Sequence, residues 1–255
     1  MIMKSFLFSC ISFLFFIFSV GICFADAEIN MTLREQIQKA KAGDFVVLAQ
    51  GKNHVLLHIN QRNDQEIFFE EITIPTASIV RISNWKTWVF QGAEFHTSWI
   101  LYKINLTNGN LEKAYSVTKK SWLDSSNGSW FLPKLLKLNL KLIPEEKRRK
   151  AGLAPIGDSP DFRKVWNPKM FFNGKEIIKV NFHAYKTFWP VDQSELSGKM
   201  IEVYLPAETG EFPTYFPYWI QVTGKVGKIA VRVVDSGVDL ISPFQSFSKF
   251  NSLFK

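Results

Sequence analysis

Apolar and polar residues alternate with a period of two over much of this chain, most clearly across 94–118 (EFHTSWILYKINLTNGNLEKAYSVT). Asn108-Gly109 divides two apolar runs there, and Asn-Gly tolerates the positive φ that both central positions of a two-residue type I′ turn require. Such a turn predicts an antiparallel hairpin in which Leu106 faces Leu111, Ile104 faces Lys113, Tyr102 faces Tyr115 and Ile100 faces Val117. One face is then apolar apart from the stem of Lys113, and the other is half-solvated.

The same reasoning extends along the chain. Thr32 to Glu35 (TLRE) is a capping box, Leu33, Ile37 and Ala40 recur at helical spacing, and Gly43 suits a left-handed stop, predicting a short helix over 33–41. Strands are predicted at 45–49 and 54–59 about a turn at Gly51-Lys52-Asn53, and at 66–74 before Pro75. Within 131–143 (FLPKLLKLNLKLI) a helical start gives way to a Leu/Lys alternation suited to a strand, and Pro144 opens a short charged helix over 145–150. Met170-Phe171-Phe172 meets a second Asn-Gly at Asn173-Gly174. Strands follow at 181–187 and around Ile201, Val203 and Leu205, and a last hairpin flanks 224–227. The fold class is mainly β with a few short helices, an antiparallel sandwich or incomplete barrel.

Between an N-terminal β-rich half, 26–150, and a C-terminal one, 169–243, the stretch 151–168 (AGLAPIGDSPDFRKVWNP) carries Pro and Gly without periodicity. It reads as a connecting segment that Arg163 and Trp166 pack down. The Phe- and Ser-rich tail, 244–255, is expected to be loosely held.

Composition matters most at the N-terminus. Lys4 precedes the apolar run 6–24, and small residues follow, so 1–25 reads as a signal peptide cleaved after Ala25 or after Ala27; an uncleaved membrane anchor is the alternative. The expected location is periplasmic or secreted. Cys10 and Cys23 both lie in this segment, so the mature chain would hold no thiol, which removes disulfides, cysteine nucleophiles and thiolate metal sites. Net charge is +8, densest at Lys147, Arg148, Arg149 and Lys150, a solvated face whose natural partner would be an anionic surface. No recognition motif points to nucleic acid.

Candidate chemistry is sparse. His54 and His58 sit four apart, but on a strand that separates them by about 13 Å, too far to chelate together. His96 and His183 are isolated, and neither a metal nor a cofactor is expected. Glu70 and Glu71 are adjacent on a strand and point to opposite faces. Asp158, Asp161, Asp192, Asp235 and Asp239 neighbour Gly, Ser or Pro and read as turn formers; a hydrolase would need Asp192, Glu195 and Asp235 to converge. The chain has no G-x-S-x-G elbow, phosphate loop or dinucleotide fingerprint. The most suggestive stretch is 212–219 (FPTYFPYW), with Trp189-Pro190 before it, because prolines hold the backbone extended and can display rings. Trp189, Tyr215, Phe216, Tyr218 and Trp219 are therefore candidate ligand-binding residues, the alternative being that they plug one end of the β core. The expected function is an exported, non-catalytic envelope or secreted protein that binds a lipid, glycan or partner protein through aromatic surface. A secreted hydrolase with a carboxylate or serine site, or a structural assembly subunit, are the rivals.

Overall fold

The computed structural model describes residues 30–125, 130–157, 159–208, 210–224 and 227–244. Residues 1–25, the expected signal peptide, Asp158 and all but the first residue of the tail lie outside them. The chain opens with β1 (Asn30–Thr32), α1 (Leu33–Ile37), β2 (Phe45–Gln50), β3 (Asn53–Arg62) and β4 (Glu66–Pro75). A 3-10 turn (Thr76–Arg81) and α2 (Trp85–Phe90) lead to β5 (Ser98–Asn105), β6 (Leu111–Ser116) and β7 (Ser121–Leu123). Next, α3 (Phe131–Lys137) runs into β8 (Asn139–Leu142) and a second 3-10 turn (Glu145–Lys147). The remainder is β9 (Met170–Phe172), β10 (Lys175–Ile177), β11 (Phe182–Phe188), β12 (Met200–Pro206), β13 (Trp219–Thr223) and β14 (Lys228–Gly237).

Twelve strands make one sheet in the order β1-β8-β11-β12-β13-β14-β2-β3-β4-β5-β6-β7, while β9 and β10 pair separately. Neighbours run antiparallel, and β14 against β2 and β11 against β8 interleave strands from both β-rich halves. The architecture is mainly antiparallel β with a few short helices, as the alternation predicts.

Both faces of the sheet are used. On one, Ile59, Phe69 and Tyr102 share a cluster with Ile201, Val203 and Ile220 from the far strands, and with Leu132, Leu135 and Leu136 of α3. The sheet therefore curls round α3 as an incomplete barrel, each enclosed Leu or Ile contributing about 1.5–3 kcal/mol. On the other face of β2 to β5, Val47, Leu56, Phe68, Ile72 and Leu101 lie beneath Trp88 and Val89 of α2. In the hairpin the expected half-solvated face is covered at Leu101, while Lys103, Asn105 and Glu112 beyond it keep contact with water.

The hairpin at Asn108-Gly109 is real, but its turn and register differ from expectation. Only Gly109 takes positive φ (+71°). The Asn105 side chain accepts from Thr107 N (2.9 Å) and Asn108 N (3.3 Å), opening the connection to five residues, and a bulge falls at Lys103/Ile104. Tyr102 then faces Ala114, and Lys103 faces Lys113. The like charges opposite each other are offset by Glu66 and Glu112, which both bind Lys103. The two-residue turn appears instead at Asn173-Gly174, where both residues have positive φ (49° and 75°) and Phe172 pairs with Lys175.

Other elements hold with altered ends. Glu35 Oε1 accepts from Thr32 N at 3.3 Å as a capping box does, yet α1 stops at Ile37. The change from helix to strand within 131–143 is observed, and the charged helix at 145–150 is a single 3-10 turn.

Candidate functional site

Residues 76–96 cross the outer face of the sheet. Asn84 starts α2 by accepting from Thr87 N (3.0 Å), and Trp88 and Val89 turn onto the sheet while Trp85 meets Trp88 edge to face at 5.7 Å. The signal for α2 was present in the sequence as an N-cap Asn followed by Trp85, Trp88 and Val89 at helical spacing. Beyond α2 the backbone turns left-handed, without penalty at Gly92 (φ 95°) but with strain at Ala93 and Phe95 (51° and 65°). A left-handed conformation is unfavourable for a bulky residue, and it persists only where surrounding bonds impose it. Here Ala93 N donates to Trp88 O (2.8 Å), Trp88 Nε1 to Glu94 O (2.9 Å), and His96 N to Ala93 O (3.1 Å).

The outcome is a displayed ring. Phe95 is exposed, and the Arg81 guanidinium lies 4.5 Å from its centroid. Beside this pair opens a cleft of about 430 Å³, lined also by Asn84, Thr87, Trp88, Gln91 and Glu94. A smaller hollow of about 200 Å³ adjoins it across Ile82, Ser83 and Asn84 and reaches Asp235. Burial pushes the Asp235 carboxyl up, against bonds from Gly174 N (2.9 Å), Ser236 N (2.9 Å) and Trp85.

Under the same cap, on the sheet itself, Glu70 is fully buried and takes three donors. They are His58 Nδ1 (3.0 Å), Asn60 Nδ2 (2.9 Å) and Ser242 Oγ (2.5 Å). Ser242 bonds to Glu70 and not to His58, and all four side chains are enclosed, so this is no nucleophile–base pair.

The candidates from the sequence lie elsewhere. Trp189, Tyr215, Phe216 and Tyr218 are at most 2% exposed, and Trp219 is half-buried against Trp166 at 5.0 Å. Tyr215 Oη donates to Leu57 O (3.0 Å), and Trp189 stacks on Phe131 at 5.5 Å. These rings close the barrel core and form no displayed surface. The prolines do hold 212–218 extended, but Pro213 and Pro217 are themselves buried and aim the rings inward.

The acidic candidates are dispersed as well. Asp192 is held well below the usual carboxylate range by Lys134, then Ser194, and it also accepts from Trp189 Nε1 (3.1 Å). It lies beyond the Phe188/Met200 end of the strands, whereas Asp235 sits seven positions along β14 from Lys228, about 23 Å away along the strand. Glu195 is exposed, so the three do not converge. His54 is bonded to Thr76 (3.2 Å) and His58 to Glu70, each with its own partner.

A protein-family model described as CT021 protein matches residues 55–178, a span that includes the cleft. The 2.0 Å resolution structure of the hypothetical protein CT021 from Chlamydia trachomatis is similar, with 20% identity and a TM-score of 0.60, over 84% of this chain and 96% of that one. The two chains share a fold. No curated protein matches.

Glu71 shows the other face of β4. Tyr102 Oη donates to its Oε2 (3.3 Å) inside the barrel, and burial pushes its carboxyl up from 4.5 despite that bond. A raised acid favours its protonated form in the folded chain. Its contribution is whole below the unfolded value and is lost as pH rises through the folded one. Glu71→Gln should therefore melt like the wild type near about pH 4 and above it at neutral pH. Melting curves across that range check this; a variant that is less stable at neutral pH would refute the sign.

Proposed function

We propose that the protein is an exported, non-catalytic binding protein whose ligand cleft lies on the outer face, between Asn84 and Phe95. The observation that carries the reading is Phe95, held outward on a left-handed backbone beneath Arg81 at the rim of a cleft floored by Trp88. Strain maintained by three backbone and indole bonds around a solvent-facing ring is characteristic of a working surface. Aromatic faces beside amide, hydroxyl, guanidinium and carboxylate groups suit a polar ligand with an apolar face, and a glycan fits best among lipid, glycan and protein. The assembly reading gains no support from the sheet edges, since β1 and β7 are only three residues long. Export rests on the apolar segment at 6–24.

Titration of a saccharide panel, followed by tryptophan fluorescence, tests this. Phe95→Ala should weaken the best saccharide by about tenfold or more without lowering the melting temperature, because the ring is exposed. Equal affinity in wild type and variant would discard the cleft.

A further inference from the structure

In the connecting segment three apolar side chains stand almost wholly in water: Leu153 (95% exposed), Ile156 (94%) and Phe162 (89%). Single exposed apolar residues are ordinary, but three on one short lobe are not. The lobe has a built neck. Lys150 bridges Val165, Ala151 N donates to Lys164 O (2.9 Å), and Trp166 N donates to Arg149 O (2.8 Å). Arg163 ties Asp161 (2.8 Å) and reaches Gly152 O (3.0 Å), and Lys150 also meets Asp161 (3.3 Å). Trp166 seats the neck on Tyr204 at 5.2 Å and on Trp219, beneath Arg149 at 4.5 Å.

Charge flanks the apolar side chains in the sequence. Across 145–164 there are six cations against four carboxylates, Glu145, Glu146, Asp158 and Asp161. Asp161 is neutralised within the lobe, and Arg148 turns inward to Asn167 (2.7 Å). Lys147, Arg149 and Lys164 remain exposed at the neck. Exposed apolar side chains that can enter the acyl boundary, flanked in the chain by exposed cations that can meet headgroups, match the two forces that hold a peripheral protein on an anionic bilayer.

We infer that this lobe docks the protein on an anionic lipid surface, with Leu153, Ile156 and Phe162 inserted and Lys147, Arg149 and Lys164 at the headgroups. The inference is independent of the outer cleft. It is tested by hydrogen exchange on the full chain, mixed with vesicles of equimolar phosphatidylcholine and phosphatidylglycerol or of phosphatidylcholine alone. With the anionic vesicles, amides of 151–163 should exchange severalfold more slowly. Ile156→Asp/Phe162→Asp should abolish that protection, and Lys147→Glu/Lys164→Glu should weaken it. Because exchange is read at the lobe, attachment through residues 1–25 cannot imitate the result. Should the double aspartate variant melt early, Leu153→Asp alone must still reduce protection. Absent protection in the wild type would overturn the inference and favour a protein partner. Undiminished protection in the aspartate variants, or equal protection on both vesicles, would overturn it too.

Discussion

Glu70→Ala should destabilise the fold by about 3–5 kcal/mol, because it removes the common acceptor of a buried hydrogen-bond network. The carboxylate is the common acceptor for His58, Asn60 and Ser242, and none of the four side chains reaches solvent appreciably. Truncation leaves three buried donors without it, each unmet group costing about 1–3 kcal/mol. In a chain of this size that corresponds to roughly ten degrees in melting temperature. Glu70→Gln should fall between, since an amide retains one acceptor but presents N–H to a donor. The loss should also be felt far away in sequence. Ser242 carries the segment that brings Phe244 edge-on to Trp99 at 5.2 Å, so protease cutting near 240–244 should accelerate. A denaturation midpoint like that of the wild type would mean that the buried network contributes little.

Tyr215→Ala should cost a similar amount, about 3–5 kcal/mol, because a fully enclosed ring leaves a cavity when truncated. Its hydroxyl bonds to Leu57 O (3.0 Å) across the barrel, and its ring meets Phe69 at 6.3 Å, so packing and a hydrogen bond are lost together. Trp219→Ala should cost less, as that indole is only half-buried. Thermal melts of the two single variants give the order. Were Tyr215→Ala to melt as the wild type does, 212–219 would have to be regarded as surface again.

Several features were legible in the residues alone because their causes are local. Period-two alternation placed β2 to β6 and β11 to β14, and the leucine pattern of 131–143 located the change from α3 to β8. The opposed directions of Glu70 and Glu71 followed from strand geometry, and the structure puts them in separate surroundings, one with His58 and the other with Tyr102. Asn-Gly correctly marked two turns. Which of them is the tight one was decided by a side chain, Asn105, whose bonds to the backbone opened the first loop and shifted its register.

Tertiary structure decided the rest. Alternation states that a strand has two faces, but whether the second face meets water depends on what crosses it. Here α2, which lies between β4 and β5 in sequence, and the Ser242 segment, 172 residues from Glu70, cover it over β2 to β5. The aromatic stretch 212–219 has the composition of either a binding surface or a core plug; only the curl of twelve strands round α3 encloses it. The cleft at Phe95 depends on a backbone conformation that no propensity favours, so it arises from the bonds around Trp88 and not from any pattern in the residues. Residue order thus determined the strands, the helix–strand junction and the directions of neighbouring side chains, since these follow from steric and hydrophobic periodicity over a few positions. Sheet order, the covered face and the exposed cleft were settled by contacts between distant segments, whose free energies no local pattern encodes.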